Sequence, residues 1–204
     1  MRQRHKPSCL KLKDLRVTLP KEMVKNRITS AAFVPQSFRT VTKTDLSQID
    51  TVAAVLAGYA GRRVFHGFSR GPTSGGKANF LIAWHRGRVF QLAFDAHAGT
   101  LSLRELLTGI PADSTMYEDL KAFIRSRQSE NLPGHRRLDA RKIQIRTYNR
   151  SGNVFLVVKV KDGDSEYAVR KLVHLINEIY LTFLADGKYF DYLVETFNLD
   201  PDRM

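Results

Sequence analysis

The stretch ANFLIAWHRGRVFQLAFD, residues 78–95, decides the fold of this 204-residue chain. Two apolar runs of strand length flank the dipeptide Arg86-Gly87, and this arrangement is typical of a β-hairpin. A tight turn at that dipeptide pairs His85 with Arg88. In that register both faces of the hairpin are largely apolar, so we predict a central hairpin that is covered on each side, by helices or by a second copy of the chain.

A second hairpin is predicted where KIQIRTY, residues 142–148, precedes NRSG and then NVFLVVKVKDG, residues 153–163. Alternation places the apolar side chains of both strands on one side. The opposite side carries cations and aromatic rings: Gln144, Arg146 and Tyr148 from the first strand, and Phe155, Val157, Lys159 and Lys161 from the second. We therefore predict a sheet with one buried and one cationic face.

Helices are predicted around both hairpins. Capping signatures and helical spacing indicate a first helix from Asp45 to Gly58 or Gly61, short helices at Ser102 and Thr115, and two closing helices that begin at Glu166 and Lys188. With a strand at RVFHGF, residues 63–68, the order is α-βββ-αα-ββ-αα. The fold class predicted is α+β, with antiparallel sheet from the two hairpins and helices packed on it. One domain spans residues 31–204, with a candidate subdivision near residues 130–140, and a basic arm, residues 1–30, precedes it.

This order of elements, from about residue 45 onward, resembles that of type III secretion chaperones and related small bacterial regulators. The resemblance covers element order and no specific motif, and a profilin-like or roadblock-like arrangement shares many of the same elements. Secretion chaperones are dimeric α+β proteins, so the resemblance implies a dimer. The apolar surface of the first hairpin and of the last helices favours the same association, because a lone copy has too few elements to cover it.

The chain is strongly basic, with a formal net charge of +13 at pH 7. The excess of Lys and Arg lies in the arm and the middle of the chain, whereas residues 164–204 hold more acids than bases. Such a distribution attracts polyanions, nucleic acid among them, to the basic part. It equally favours contact with the acidic end of a second copy.

The single cysteine, Cys9, excludes an internal disulfide, and no C-x-x-C pair is present for a structural zinc ion. This composition is typical of a reducing compartment. No apolar run approaches the ~20 residues that a membrane span requires, and the first residues lack the apolar core of a signal peptide. We predict a cytoplasmic protein with no membrane partner.

The segment GPTSGGK, residues 71–77, matches the phosphate-loop pattern G-x-x-x-x-G-K. A phosphate loop also needs a Ser or Thr after the lysine to hold magnesium, and a helix whose N-terminus points at the anion. Here Ala78 follows the lysine, and the next segment is a predicted strand. The sequence therefore predicts an inter-strand loop and no nucleotide hydrolysis, and leaves Arg70 and Lys77 as candidate anion contacts.

The histidines form no recognisable catalytic or metal-binding pattern. Asp95 and His97, at the exit of a strand, are predicted to form a hydrogen-bonded pair in a loop. We predict no catalytic residue, no cofactor and no metal. An enzyme of unrecognised type stays open, because residues distant in sequence can meet in one site.

The function predicted from these patterns is non-catalytic binding, as a dimeric adaptor or a chaperone-like module with a protein partner. The alternative is nucleic-acid binding through the basic arm and the cationic sheet face, with contacts from Arg146, Tyr148, Arg150, Lys159 and Lys161. On such a surface the cations follow the phosphate backbone and the aromatic rings stack on bases.

Overall fold

The structure of the chain, a computed structural model, describes residues 40–199. The predicted basic arm, residues 1–30, lies outside the described residues. The elements are α1 (Lys43–Gly61), β1 (Gly67–Arg70), β2 (Lys77–Trp84), β3 (Arg88–Asp95), β4 (Thr100–Leu107), α2 (Thr115–Ser126), β5 (Ile143–Arg150), β6 (Asn153–Val160), α3 (Ser165–Glu178), a π-helical segment (Ile179–Leu184) and α4 (Phe190–Phe197). The predicted α+β class is confirmed, with the order α-ββββ-α-ββ-αα when the π-helical segment is counted with α3.

All six strands form one antiparallel sheet in the order β1-β2-β3-β4-β6-β5. Helices α1 and α3 lie against one side of it, which we call the inner face. Side chains on the inner face are buried, and those on the opposite side, the outer face, are mostly exposed. The loop near residues 130–140 joins α2 to β5, and the strands that follow it continue the same sheet. Within residues 40–199 no helix has the length and apolar composition needed to cross a lipid bilayer.

The first hairpin has a different register from the one predicted. Trp84 pairs with Arg88, and residues 85–87 form a three-residue turn in which all three φ angles are positive, at 36°, 62° and 80°. A slip of one residue moves every side chain to the other face. Leu81 and Val89 therefore lie on the outer face, 46% and 57% exposed. Within residues 40–199 only the inner face of this hairpin is covered, and coverage of the outer face by a second copy of the chain stays a prediction.

The predicted short helix at Ser102 is wrong, since this segment is strand β4. Leu101 and Leu103 are buried and alternate with the more exposed Ser102 and Arg104. The strand pairs with β3 on one side and β6 on the other. Strand alternation and pairing on both sides therefore outweigh the local capping signature. A bulge interrupts the pairing of β4 with β6 after Leu103, and Glu105 within it has a φ of 50°.

The second hairpin forms with the predicted facing of its side chains. Tyr148 pairs with Phe155 and Arg146 with Val157, while the alternate side chains from Ile143 to Val160 are mostly buried. Its turn consists of a serine and a glycine at residues 151–152, both with positive φ, at 51° and 80°. A two-residue turn of this kind matches the twist of the flanking strands.

Helix α1 starts slightly before the predicted Asp45. Thr42 is its N-cap: Oγ1 of Thr42 accepts a hydrogen bond from the backbone N–H of Asp45 at 3.2 Å, and Oδ2 of Asp45 accepts one from the N–H of Thr42 at 2.7 Å. The hydroxyl of Thr42 also donates to Oδ2 of Asp45 at 2.6 Å, and this bond, with that of the Thr42 N–H second, holds the pKa of the Asp45 carboxyl below its usual value. The helix ends at Gly61, one of the two predicted ends.

Candidate nucleic-acid interface

Strands β4, β6 and β5 place cations and rings together on the outer face. Side chains of alternate residues point to the same side of a strand, which brings positions two apart into one row. The set, which we call the cationic face, comprises Arg104 of β4, Arg146, Tyr148 and Arg150 of β5, Phe155 and Lys159 of β6, and Lys161 directly after β6. The structure thus brings five of the predicted contact residues to one surface, together with Phe155, which was predicted on the same face, and adds Arg104.

The arginines of the cationic face have no neutralising partner among residues 40–199. Within residues 40–199 no carboxylate oxygen lies within 4.0 Å of the guanidinium of Arg104, Arg146 or Arg150, and all three residues are exposed. Lys159 donates a hydrogen bond to the backbone carbonyl of Ala98, and a carbonyl contact leaves the ammonium charge in place. The surface therefore keeps a positive potential that attracts anions.

Tyr148 and Phe155 form an aromatic pair in the middle of these charges. Their ring centroids are 4.8 Å apart and their planes differ by 6°, so the rings are stacked. Tyr148 is 48% exposed and lies on β5, the last strand of the sheet. Arg146 lies two positions before Tyr148 on this strand, and Arg150 lies two positions after it.

Arg70 and Lys77, the other two predicted contacts, are not brought to this surface. Arg70 lies 2.9 Å from Asp50 of α1, and Lys77 lies 3.0 Å from Asp95 at its paired position on β3. Each cation is therefore matched by a carboxylate. Their role as anion contacts stays a prediction that this geometry does not favour.

The backbone of the glycine-rich loop forms hydrogen bonds within the loop and to β2. Three of its backbone N–H groups are occupied, since Gly71 donates to the carbonyl of Asn79, and Ser74 and Lys77 donate to each other's carbonyls at 3.0 and 2.9 Å. A phosphate loop needs such groups pointing at the anion. The loop is an inter-strand connection followed by β2, as predicted.

His97 does not pair with Asp95 as predicted. Its Nδ1 lies 3.3 Å from Oδ2 of Asp45 on α1, while Asp95 accepts a hydrogen bond from the N–H of Ala98 at 2.9 Å. Nε2 of His97 is buried without a hydrogen-bond partner and lies against Gly76. Because one ring nitrogen is held by a carboxylate and the other is enclosed, neither is open to a substrate.

A small cleft of about 190 Å³ lies beside this histidine, lined by Gln48, His97, Lys159 and Ser165 among others. No nucleophile and base are in hydrogen-bond contact there, which nucleophilic catalysis requires. In the part of the chain from residue 40 to residue 199, no group of three His, Cys, Asp or Glu side chains is placed to hold a metal ion.

A second polar cluster was missed by sequence reasoning. The ring of His85 stacks on Tyr180 at 4.3 Å, and burial, with the charge of a neighbouring histidine second, lowers the pKa of His85 to about 4. Burial also raises the pKa of Tyr180 to about 12; its hydroxyl donates to the carbonyl of Leu106 at 2.9 Å and accepts from Arg88 at 3.1 Å. Arg88 donates in addition to the carbonyl of Glu105 in the β4 bulge. These contacts join residues almost a hundred positions apart, which local sequence patterns do not signal.

The geometry therefore offers a surface suited to a polyanion. Comparisons with models of known protein families, with curated proteins and with solved structures find no match to this chain. The similarity to secretion chaperones, which rests on the order of elements alone, stays a prediction.

Proposed function

We propose that this chain is a non-catalytic binding protein whose cationic face takes nucleic acid through the phosphate backbone. The observation that carries the proposal is a set of exposed arginines on one side of the sheet that no carboxylate of residues 40–199 neutralises: Arg104, Arg146 and Arg150. A cation that already has a carboxylate partner gains little binding free energy from a phosphate. A cation without such a partner gives up only water and counterions when it binds one. The cytoplasm, predicted from the single cysteine, is the compartment that we propose with it.

The spacing along β5 supports a linear ligand. Arg146, Tyr148 and Arg150 occupy alternate positions on the outer face, so that successive side chains are about 6.8 Å apart in an extended strand. Lys159 and Arg104 lie on the neighbouring strands and widen this row into a band. A band of cations with embedded rings follows a flexible backbone without reading its sequence.

The experiment is a salt titration of binding. A fluorescently labelled oligonucleotide of mixed sequence is titrated with the full chain at several KCl concentrations, and the affinity is plotted against salt on logarithmic axes. Each phosphate contact contributes about −0.7 to the slope for a single strand and about −0.9 for a duplex. We expect Arg146→Ala and Arg150→Ala each to make the slope shallower by about one such contact.

The matched control is Arg125→Ala, which removes an exposed arginine from α2, outside the sheet. We expect its slope to equal that of the unaltered chain. Affinity that does not depend on salt, or a slope that Arg125→Ala changes as much as Arg146→Ala, contradicts the proposal.

A second candidate function is the predicted dimeric adaptor. One observation favours it: the outer face of β1, β2 and β3 carries an uncharged patch with Leu81 and Val89 exposed at its centre. The patch consists of Gly67, Ser69, Asn79, Leu81, Ala83, Val89, Gln91 and Ala93. A two-fold contact sets the same surface against itself, which suits an uncharged patch and disfavours the cationic face beside it. We propose a second copy of this chain as the occupant of the patch.

A further inference from the structure

The stacked ring pair has an open side at the edge of the sheet. Two rings lying side by side in one plane cannot bring their centroids to 4.8 Å, so Tyr148 and Phe155 present faces to each other. Among residues 40–199, β5 is the last strand of the sheet, and no strand of this part of the chain lies beyond Tyr148. Among residues 40–199 no second ring and no side-chain cation lies on Tyr148. One face of its ring is therefore available at the rim of the cationic face.

We infer that this ring face takes an unpaired base, and that the ligand of the cationic face is therefore single-stranded nucleic acid. The inference rests on the proposed function. In a duplex both faces of every internal base are already stacked on neighbouring base pairs, so a tyrosine ring can gain nothing without unstacking them. An unpaired base extends the column Phe155–Tyr148 by one ring.

The flanking charges place the backbone of such a strand. Arg146 and Arg150 lie on either side of Tyr148 along β5, so phosphates before and after the stacked base each have an unpaired guanidinium in reach. The ring of Phe155, on the neighbouring strand β6, packs against the other face of the tyrosine ring and fixes its plane. This combination of a supported ring between two cations is the arrangement that single-strand binding surfaces use. A duplex meets the same cations and leaves the ring unused.

The test compares three labelled ligands of equal length at one salt concentration: a deoxythymidine strand, its duplex with the complementary strand, and a strand of the same backbone with abasic sites. Loss of base stacking lowers affinity by about 5-fold to 150-fold per base. We expect Tyr148→Ala to weaken binding of the thymidine strand by a factor in this range and Tyr148→Phe to keep it within about 2-fold. Tyr148→Ala should leave duplex affinity within about 2-fold, because phosphate contacts are unchanged.

The abasic strand separates stacking from charge. We expect it to bind the unaltered chain about as weakly as the thymidine strand binds Tyr148→Ala, and to be insensitive to that substitution. Circular dichroism melting of each variant shows that the sheet is intact, and Tyr148→Leu, which keeps an apolar side chain on β5, serves if the alanine variant does not fold.

Failure of the inference differs from failure of the proposed function. If Tyr148→Ala binds the thymidine strand as tightly as the unaltered chain, while Arg146→Ala still weakens it, the surface binds phosphate alone and the inference is overturned. Tighter binding of a poly-glutamate peptide than of any oligonucleotide overturns it as well, because the partner is then an acidic protein segment. If no oligonucleotide binds in a salt-dependent manner, both the proposed function and the inference are wrong.

Discussion

Gly76 is the residue on which the closure of the glycine-rich loop depends. Its φ is +71°, and a Cβ built on it lies 2.7 Å from Nε2 of His97. Alanine at this position combines a left-handed backbone with a contact that forces the imidazole to move. We expect Gly76→Ala to lower the free energy of unfolding by about 2–4 kcal/mol, measured by urea denaturation.

Gly75 is the matched control, since its φ is +56° and a Cβ there meets no atom within 4 Å. Gly75→Ala carries the backbone strain without the contact, and we expect a loss of about 1 kcal/mol. The double variant Gly76→Ala/His97→Ala removes the contact between the new Cβ and the imidazole. We expect it to recover part of the stability that Gly76→Ala loses beyond Gly75→Ala. Equal losses for the two glycine variants contradict the close contact between the loop and His97.

The β4 bulge is an element whose shape depends on one distant arginine. Arg88 donates to the carbonyl of Glu105, which has φ 50°, and to the hydroxyl of Tyr180. Lysine at position 88 keeps the charge but lacks the planar guanidinium, whose two terminal nitrogens reach the Tyr180 hydroxyl and the Glu105 carbonyl together. We expect Arg88→Lys to lower the free energy of unfolding by about 1–3 kcal/mol, since a hydrogen bond to a charged donor is lost.

Arg104→Lys is the control for this element, because Arg104 lies on the same strand and its side chain makes no hydrogen bond or ion pair within residues 40–199. We expect its effect on the free energy of unfolding to stay within about 0.5 kcal/mol. If both lysine variants behave alike, the bulge does not depend on the guanidinium of Arg88.

The two hairpins show what the sequence can and cannot predict about elements. The facing of the second hairpin is predictable, because apolar side chains alternate regularly along its second strand. That of the first is not, since its apolar side chains fit either face and only the three-residue turn decides between them. Strand β4 was predicted as a helix because Ser102 and Glu105 match a capping signature, while the ladders to β3 and β6 that make it a strand join residues far apart in the chain.

The same distinction holds for the candidate site. The shared face of one hairpin is predictable from the alternation of its side chains, so the sequence alone places together Arg146, Tyr148, Arg150 and Lys159. Arg104 was missed because its segment was predicted as a helix, and the neutralising partners of Arg70 and Lys77 are visible only in the structure. Local patterns therefore predict which residues share a face, and long-range packing determines which charges stay unpaired.

At the scale of the whole molecule, burial on one face explains why less apolar surface is left than the sequence suggests. The inner face of the sheet and the stripes of α1 and α3 cover one another. What remains exposed on the outer face of the first hairpin is the uncharged patch that includes Leu81 and Val89, with the ion pair Lys77–Asp95 at one end of the strands. The outer face is thus divided into a half without net charge on β1–β3 and a cationic half on β4–β6, and the two halves favour different partners.

The uncharged half predicts how the oligomeric state responds to mutation and to salt. We expect the 23.2 kDa chain, freed of nucleic acid by nuclease and high salt, to sediment as a dimer, and Leu81→Lys to sediment as a monomer because a two-fold contact sets the new charges against each other. Leu46→Lys is the control: Leu46 is also 46% exposed but lies on α1, away from the outer face, and should leave the dimer intact. Salt should strengthen this association, since it screens repulsion between two copies of charge +13, whereas it weakens nucleic-acid binding. An unaltered chain that sediments as a monomer at every concentration and salt contradicts the dimer and leaves the cationic face unaffected.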